Sequence, residues 1–232
     1  MEANSGEDGA IKMIRSNPDP NGLNSLVADA GLKALSQEQR NRFNDYLELI
    51  LKWNARINLT SIRDRDGILN RHFIECIASA QLLPAGLESL LDLGSGAGFP
   101  GIPISIWRPE IPVTLAESQN KKAAFLNEVV RSLSLNARVF AGRAETIRDC
   151  FDCVTLRAVD RMEKALATGI SLLHPGGVLM VLTTLVLESN VRAALSAFSL
   201  NQAHLPGSTQ RLVLWGISNK GTHVPRGTKA SL

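Results

Sequence analysis

The residues best suited to chemistry lie in one run, Leu90-Leu91-Asp92-Leu93-Gly94-Ser95-Gly96-Ala97-Gly98-Phe99-Pro100-Gly101. The apolar start predicts a short buried parallel strand, and the glycines after it predict a sharp turn that brings backbone against a nucleotide-like ligand. A Cβ would shield those backbone atoms, which is why glycine suits the turn. Gly96 to Gly101 also satisfies the dinucleotide pattern G-x-G-x-x-G, so the glycines alone do not choose the ligand. Asp92 helps to choose. A carboxylate there would repel a pyrophosphate seated at the following helix start, whereas S-adenosylmethionine carries an ammonium and a sulfonium that an acid favours. Pro112–Glu117 predicts a second strand ending in an acid, and Glu117 follows Gly98 by 19 positions, a spacing suited to accepting both ribose hydroxyls of an adenosine. That acid supports the nucleoside and leaves NAD and S-adenosylmethionine both open. Phe99 projects from the turn and is placed to touch the cofactor.

The elements that must position these residues fall into a helical cap and an alternating α/β unit. Residues 1–22 are polar and rich in Gly, Asn and Pro, and predict a disordered leader. From Leu23 to about Leu83 the apolar spacing is helical: Phe43, Leu47, Ile50 and Leu51 share a face, and Ser36 with Gln39 reads as a capping box. A loop around Asn58-Leu59-Thr60-Ser61 precedes a second amphipathic helix carrying Ile74, Ile77, Ala78 and Leu82. Strands are predicted near 89–93, 112–117, 137–141, 152–157, 176–183 and 210–217, and helices near 119–134, 160–173 and 186–199. That alternation implies a mostly parallel sheet with helices on both faces, with the 210–217 strand antiparallel after a Pro-Gly-Ser turn. The domain reading is a cap over 23–86, a cofactor-binding unit over 87–218 and a basic tail over 219–232.

Composition excludes several classes. Hydrophobic residues make up 44% and charged residues 20%, ordinary for a globular chain, and the net charge of +3 is too small to announce a nucleic-acid binder by itself. No apolar run reaches the roughly 20 residues that span a bilayer, and the polar start is no signal peptide, which predicts a cytoplasmic protein. Cys150 and Cys153 form a C-x-x-C, but no second pair of ligands accompanies them and Cys153 falls in a predicted strand, so no metal is expected. Residues 206–232 contain Arg211, Lys220, Arg226 and Lys229 and no acid, and Arg226 and Lys229 are placed to pair with phosphates. His72 and Trp53 are the tempting side chains of the cap. Their neighbours favour a hydrogen bond from cap to sheet for His72 and core packing for Trp53.

The combination Lys52-Trp53-Asn54, Asn58-Leu59-Thr60, Arg71-His72-Phe73-Ile74-Glu75-Cys76 and Asp92 through Pro103 resembles the bacterial ribosomal small-subunit methyltransferase G family, also called glucose-inhibited division protein B. The resemblance runs from about Leu23 onward. It implies a Rossmann-like class I methyltransferase with a mostly parallel seven-stranded sheet, S-adenosylmethionine as cofactor, and methyl transfer to N7 of a guanine in 16S rRNA, as free RNA or within the 30S subunit, by a monomer. It implies cofactor contacts at Asp92, Gly94, Gly96, Gly98, Phe99, Glu117, Ala144, Glu145 and Arg157, the last as a positioning group with no general base needed. RNA contacts are implied at Lys121, Lys122, Arg211, Arg226 and Lys229. Thr183-Thr184 stands where the family usually carries Lys-Gly, and Gln210 where it carries Arg, with Arg211 one position on. An NAD-dependent oxidoreductase and a non-catalytic RNA-binding module on the same fold are the rival readings.

Overall fold

The computed structural model describes residues 22–158 and 161–219. Helices α1 (Leu23–Asp29) and α2 (Gln37–Asn54) open the cap; a short turn, α3 (Arg65–Gly67), leads into a π-helical segment, Ile68–Phe73, and α4 (Ile74–Gln81). The α/β unit then runs β1 (Leu90–Leu93), α5 (Gly101–Trp107), β2 (Val113–Glu117), α6 (Asn120–Ser132), β3 (Ala137–Ala141), β4 (Phe151–Arg157), α7 (Met162–Ser171), β5 (Leu173–Thr184), α8 (Leu185–Ala194), β6 (Phe198–His204) and β7 (Arg211–Ser218). The sheet order is β3-β2-β1-β4-β5-β7-β6. The first five strands are parallel, and β7 is antiparallel to both of its neighbours. The order reverses between β1 and β4, and ligands of open α/β sheets bind where that happens, beyond the carboxyl ends of the strands.

The capping box of α2 forms as the sequence predicts: Ser36 Oγ accepts from Gln39 N, and the Gln39 side chain accepts from Ser36 N at 2.8 Å. Phe43, Leu47 and Ile50 are buried in the shared core of cap and sheet, and Leu51 is half-buried. Two elements differ from the sequence reading. α4 is not amphipathic; Ile74 through Ala80 are all buried, because α4 packs against α5 and the π-helical segment while its Glu75 meets Arg157 and Arg211 of the sheet. The helix predicted to reach residue 199 stops at Ala194, and the chain forms the edge strand β6 instead. β6 contains polar Asn201 and Gln202 and no β-branched residue, so its strand signal is weak and its pairing with β7 makes it a strand.

The cap is fixed to the glycine turn by aromatic packing. Tyr46 stacks on Phe73 at 5.3 Å and tilts against Phe99 at 5.7 Å. Its hydroxyl donates to Ala97 O at 2.5 Å, fully buried, and burial holds the phenol well above its ordinary pKa. Tyr46→Phe strips this donor from a carbonyl inside the turn. It is expected to lower the unfolding free energy by about 1–3 kcal/mol, read as a lower urea midpoint at an unchanged slope.

Candidate active site

The carboxyl ends of β1, β2 and β4, the start of α7 and the cap enclose a cavity of about 710 Å³, within the range that holds a cofactor-sized molecule. Its floor is Leu93-Gly94-Ser95-Gly96-Ala97 with Phe99, and one wall is Ala116 through Gln119. Gly142 through Glu145 line it beyond β3, and Leu59, Thr60 and His72 come from the cap. Gly96 sits at φ +58°, and a Cβ built there would meet nothing closer than Gly94 O at 3.9 Å, so the cradle is open on that side. Glu117 is buried at the rim. Its Oε2 accepts from Gly96 N at 2.9 Å and its Oε1 from Gln119 N at 2.7 Å. Both oxygens keep lone pairs for a diol, so the residues present fit an adenosine with its ribose on Glu117.

Of the site residues predicted from sequence, Gly94, Gly96, Phe99, Glu117, Lys122, Ala144, Glu145 and Arg157 meet at this cavity. Four others do not line it. Asp92 is fully buried, with Oδ1 accepting from Thr155 Oγ1 at 2.8 Å and Oδ2 from Gly101 N at 3.2 Å. It ties β1 to β4 and to the start of α5, behind the cavity lining where a direct cofactor contact was expected of it. Gly98 is a packing glycine: at φ +95°, its Cβ would lie 2.5 Å from Ile102 Cγ1 and 2.8 Å from the Tyr46 hydroxyl. Lys121 is exposed on α6, outside the lining. Arg211 is held by an ion pair, Nε to Glu75 Oε1 at 2.5 Å, in place of the free phosphate contact expected of it. No bulge is needed to bring it there, since Arg211 pairs with Thr184 in an unbroken β5–β7 register. Thr183 and Thr184 also lie off the lining, and Gln210 is exposed. Arg226 and Lys229 lie outside the described residues.

Glu75 forms a buried junction. Its carboxylate, 1% exposed, also takes Arg157 Nη2 at 2.8 Å, and desolvation by burial raises its pKa against the pull of the two arginines. Arg157 further donates to Arg71 O at 2.9 Å and lies with its guanidinium carbon 5.6 Å from the Phe99 ring centre. The ion-pair partner of Arg157 is therefore Glu75, a residue of the cap, and not the strand-end acid Asp92. His72 stacks on Phe99 at 4.5 Å, and its Nε2 bonds Thr60 Oγ1 at 2.8 Å, a hydrogen bond within the cap in place of the expected one from cap to sheet. Asn54 Oδ1 accepts from Leu59 N and Thr60 N, so the Asn54 and Asn58–Thr60 pieces of the sequence block present Thr60 to His72. Trp53 packs on Phe125 and bonds Glu128, away from the cavity. The sequence reading missed Arg161, Lys164 and Thr168 at and along the first turns of α7, where it gave only a helix over 160–173. Cys150 and Cys153 are free, and no metal-ligand cluster exists among the described residues.

Residues 39–210 match the family model described as rRNA small subunit methyltransferase G. The chain belongs to the rRNA small subunit methyltransferase G family. One relative, "Ribosomal RNA small subunit methyltransferase G" of Xanthomonas oryzae pv. oryzae, is 38% identical over 162 residues, 68% of this chain and 76% of the relative. Two solved structures share the fold. A methyltransferase from Pyrococcus furiosus has a TM-score of 0.56 at 16% identity, covering 76% of this chain and 98% of its own. TYW2 of M. jannaschii in complex with AdoMet scores 0.55 at 14% identity, covering 72% of this chain and 80% of its own. The fold is thus the Rossmann-like methyltransferase architecture that membership of the rRNA small subunit methyltransferase G family implies, with S-adenosylmethionine as the family's cofactor. No helix of the described residues is long and apolar enough to cross a membrane.

Burial raises the Asp92 pKa from 3.8 to about 6. Folding therefore favours its protonated form, and the stability this contributes is present below about pH 4 and lost as pH rises through 6. Asp92→Asn can donate to Thr155 and accept from Gly101 without carrying charge. Its stability relative to the parent chain is expected to improve by up to about 3 kcal/mol between pH 4 and pH 7, in urea titrations run at both pH values. A difference that does not change with pH would show that Asp92 ionises in the folded protein as it does in water.

Proposed function

We propose that this chain transfers a methyl group from S-adenosylmethionine to N7 of a guanine in 16S rRNA, acting as a monomer in the cytoplasm. The observation that carries the reading is a coincidence of match and cavity. The lining residues run from Leu59 to Thr168, entirely within the 39–210 family match. In this reading Gly94 and Gly96 carry the methionine end, Glu117 takes the ribose hydroxyls, Ala144 and Glu145 flank the adenine, and Phe99 closes the floor. Lys122, Arg143 and Arg161 give the mouth a basic rim for phosphates, Lys164 being paired with Glu145 at 2.7 Å, with Lys121 beside it and Arg226 and Lys229 on the tail. In this reading the chain divides into a cap over 23–86, a catalytic unit over 87–218 and a basic tail over 219–232.

S-adenosylmethionine, held by Gly94, Gly96 and Glu117, would supply an electrophilic methyl group to a guanine N7 that carries a lone pair and no proton, so no general base is needed. The protein's task is then to position the purine, and positioning supplies most of the rate. Arg157, fixed by Glu75 and the Arg71 carbonyl, braces Phe99 for that purpose.

The dinucleotide alternative meets an obstacle at the start of α5. A pyrophosphate would need the backbone donors there, and Gly101 N already serves the buried Asp92 carboxylate while Gly96 N serves Glu117. Calorimetry is expected to give micromolar binding of S-adenosylmethionine and none of NAD. Glu117→Ala, checked for folding, is expected to lose roughly 10- to 150-fold in cofactor affinity, the loss of one or two charge-assisted hydrogen bonds. Methylation is assayed on free 16S rRNA and on 30S subunits with labelled cofactor, and the product is located at guanine N7. Binding of NAD in place of S-adenosylmethionine, or the absence of N7-methylguanine with either substrate, overturns the reading.

A further inference from the structure

The nitrogens of His72 are poorly placed for proton transfer. Nε2 is engaged by Thr60, and Nδ1 is buried without accessible surface or a partner among the described residues. One ring face lies on Phe99. The half-buried His72 ring lines the cavity with Nε2 hydrogen-bonded and Nδ1 buried, an arrangement suited to stacking and unsuited to proton transfer. Its position along the sheet gives a second argument. The Glu117 carboxylate marks the ribose at the end of β2, and the strand order β2-β1-β4 carries the cavity from there to Arg157, Phe99 and His72. In the reading above, the substrate base would enter at this corner, across β1 from the Glu117 end.

We propose that His72, backed by Phe99 and Arg157, is the platform on which the target guanine stacks. The inference rests on the methyltransferase reading above and adds a substrate-touching residue to it. Base–aromatic stacking tolerates any base, so the platform positions the purine while its edge is left to the reaction. Charge makes the ring suitable. The purine becomes cationic during transfer, and a neutral π-face attracts a cation where an imidazolium would repel it. Burial, together with Arg157, Arg71 and Arg211, lowers the His72 pKa to about 3, so the ring is neutral at any working pH. Glu75 balances the charge of Arg157 behind the stack.

Three variants separate the platform from a structural role. His72→Phe keeps a neutral ring and loses the Thr60 bond; His72→Gln keeps a polar partner for Thr60 and loses the ring; His72→Lys places a cation at the platform. The turnover of His72→Phe is expected to stay within about three-fold of the parent chain. His72→Gln is expected to fall roughly 5- to 150-fold, with cofactor affinity and Tm unchanged. Calorimetry without cofactor gives a second readout. The parent chain and His72→Phe are expected to bind 7-methylguanosine monophosphate more tightly than guanosine monophosphate, and His72→Lys to reverse that order. A His72→Gln enzyme as active as the parent, a fall beyond ten-fold in His72→Phe, or equal affinity for the two nucleotides overturns the platform. If His72→Gln fails to fold, the His72→Phe turnover and the nucleotide preference decide. Failure of the parent chain to make N7-methylguanine would instead overturn the methyltransferase reading itself.

Discussion

The Glu75 carboxylate holds together what the rest of the cavity needs. Placing an anion at 1% exposure costs several kcal/mol unless charge meets it, and here two arginines from different strands do so. Arg157 stands at the end of β4 and Arg211 at the start of β7, so one side chain of the cap fastens two strands of the sheet. Removing either arginine would leave a buried charge half-compensated, which is why such clusters hold one geometry. Arg157 in turn lies against Phe99, Phe99 against His72, and His72 against the loop held by Asn54. The corner opposite Glu117 is in this sense a single assembly, built on a residue that does not line the cavity.

The glycine turn follows a different economy. Its donors are occupied by the protein's own acids: Gly96 N by Glu117 and Gly101 N by Asp92. The turn is thereby set before any ligand arrives, and it presents backbone and a carboxylate rim in place of the free amide cluster that a phosphate requires. The Tyr46 hydroxyl on Ala97 completes the clamp from the cap side. Three separate parts of the chain thus fix a turn of a few residues, in keeping with a site whose contribution is geometry.

Much of this was legible in the sequence because it is local. Strand-end acids, glycines at a turn and the Ser36–Gln39 box each announce themselves within a few residues, and β1 to β5 fall where apolar runs predict them. The family block was also legible, although its physical meaning was not: Asn54, Thr60 and His72 form one hydrogen-bonded chain that only the folded cap displays. What escaped was direction and distance. Asp92 is an acid at the right strand end with its carboxylate committed to Thr155 and Gly101, and no spacing rule reveals that. The Glu75 junction joins residues 75, 157 and 211, too far apart in the chain for any periodicity to connect them. β6 escaped because its polar edge has little strand propensity of its own.

The position of β7 has a consequence for the order of assembly. β7 follows β6 in the chain yet lies between β6 and β5, so β6 has no place in the sheet until the later strand arrives. Folding that proceeds from the N-terminal side can complete β1 to β5 and the cap, but it must hold β6 unpaired meanwhile. The same late strand delivers Arg211, the second cation on Glu75. Closure of the sheet and charge balance beneath the cavity are therefore one event. Until β7 is inserted the nascent domain carries a buried acid short of a partner, and a chain stalled before that step lacks both the sheet edge and the settled corner that Arg157 braces.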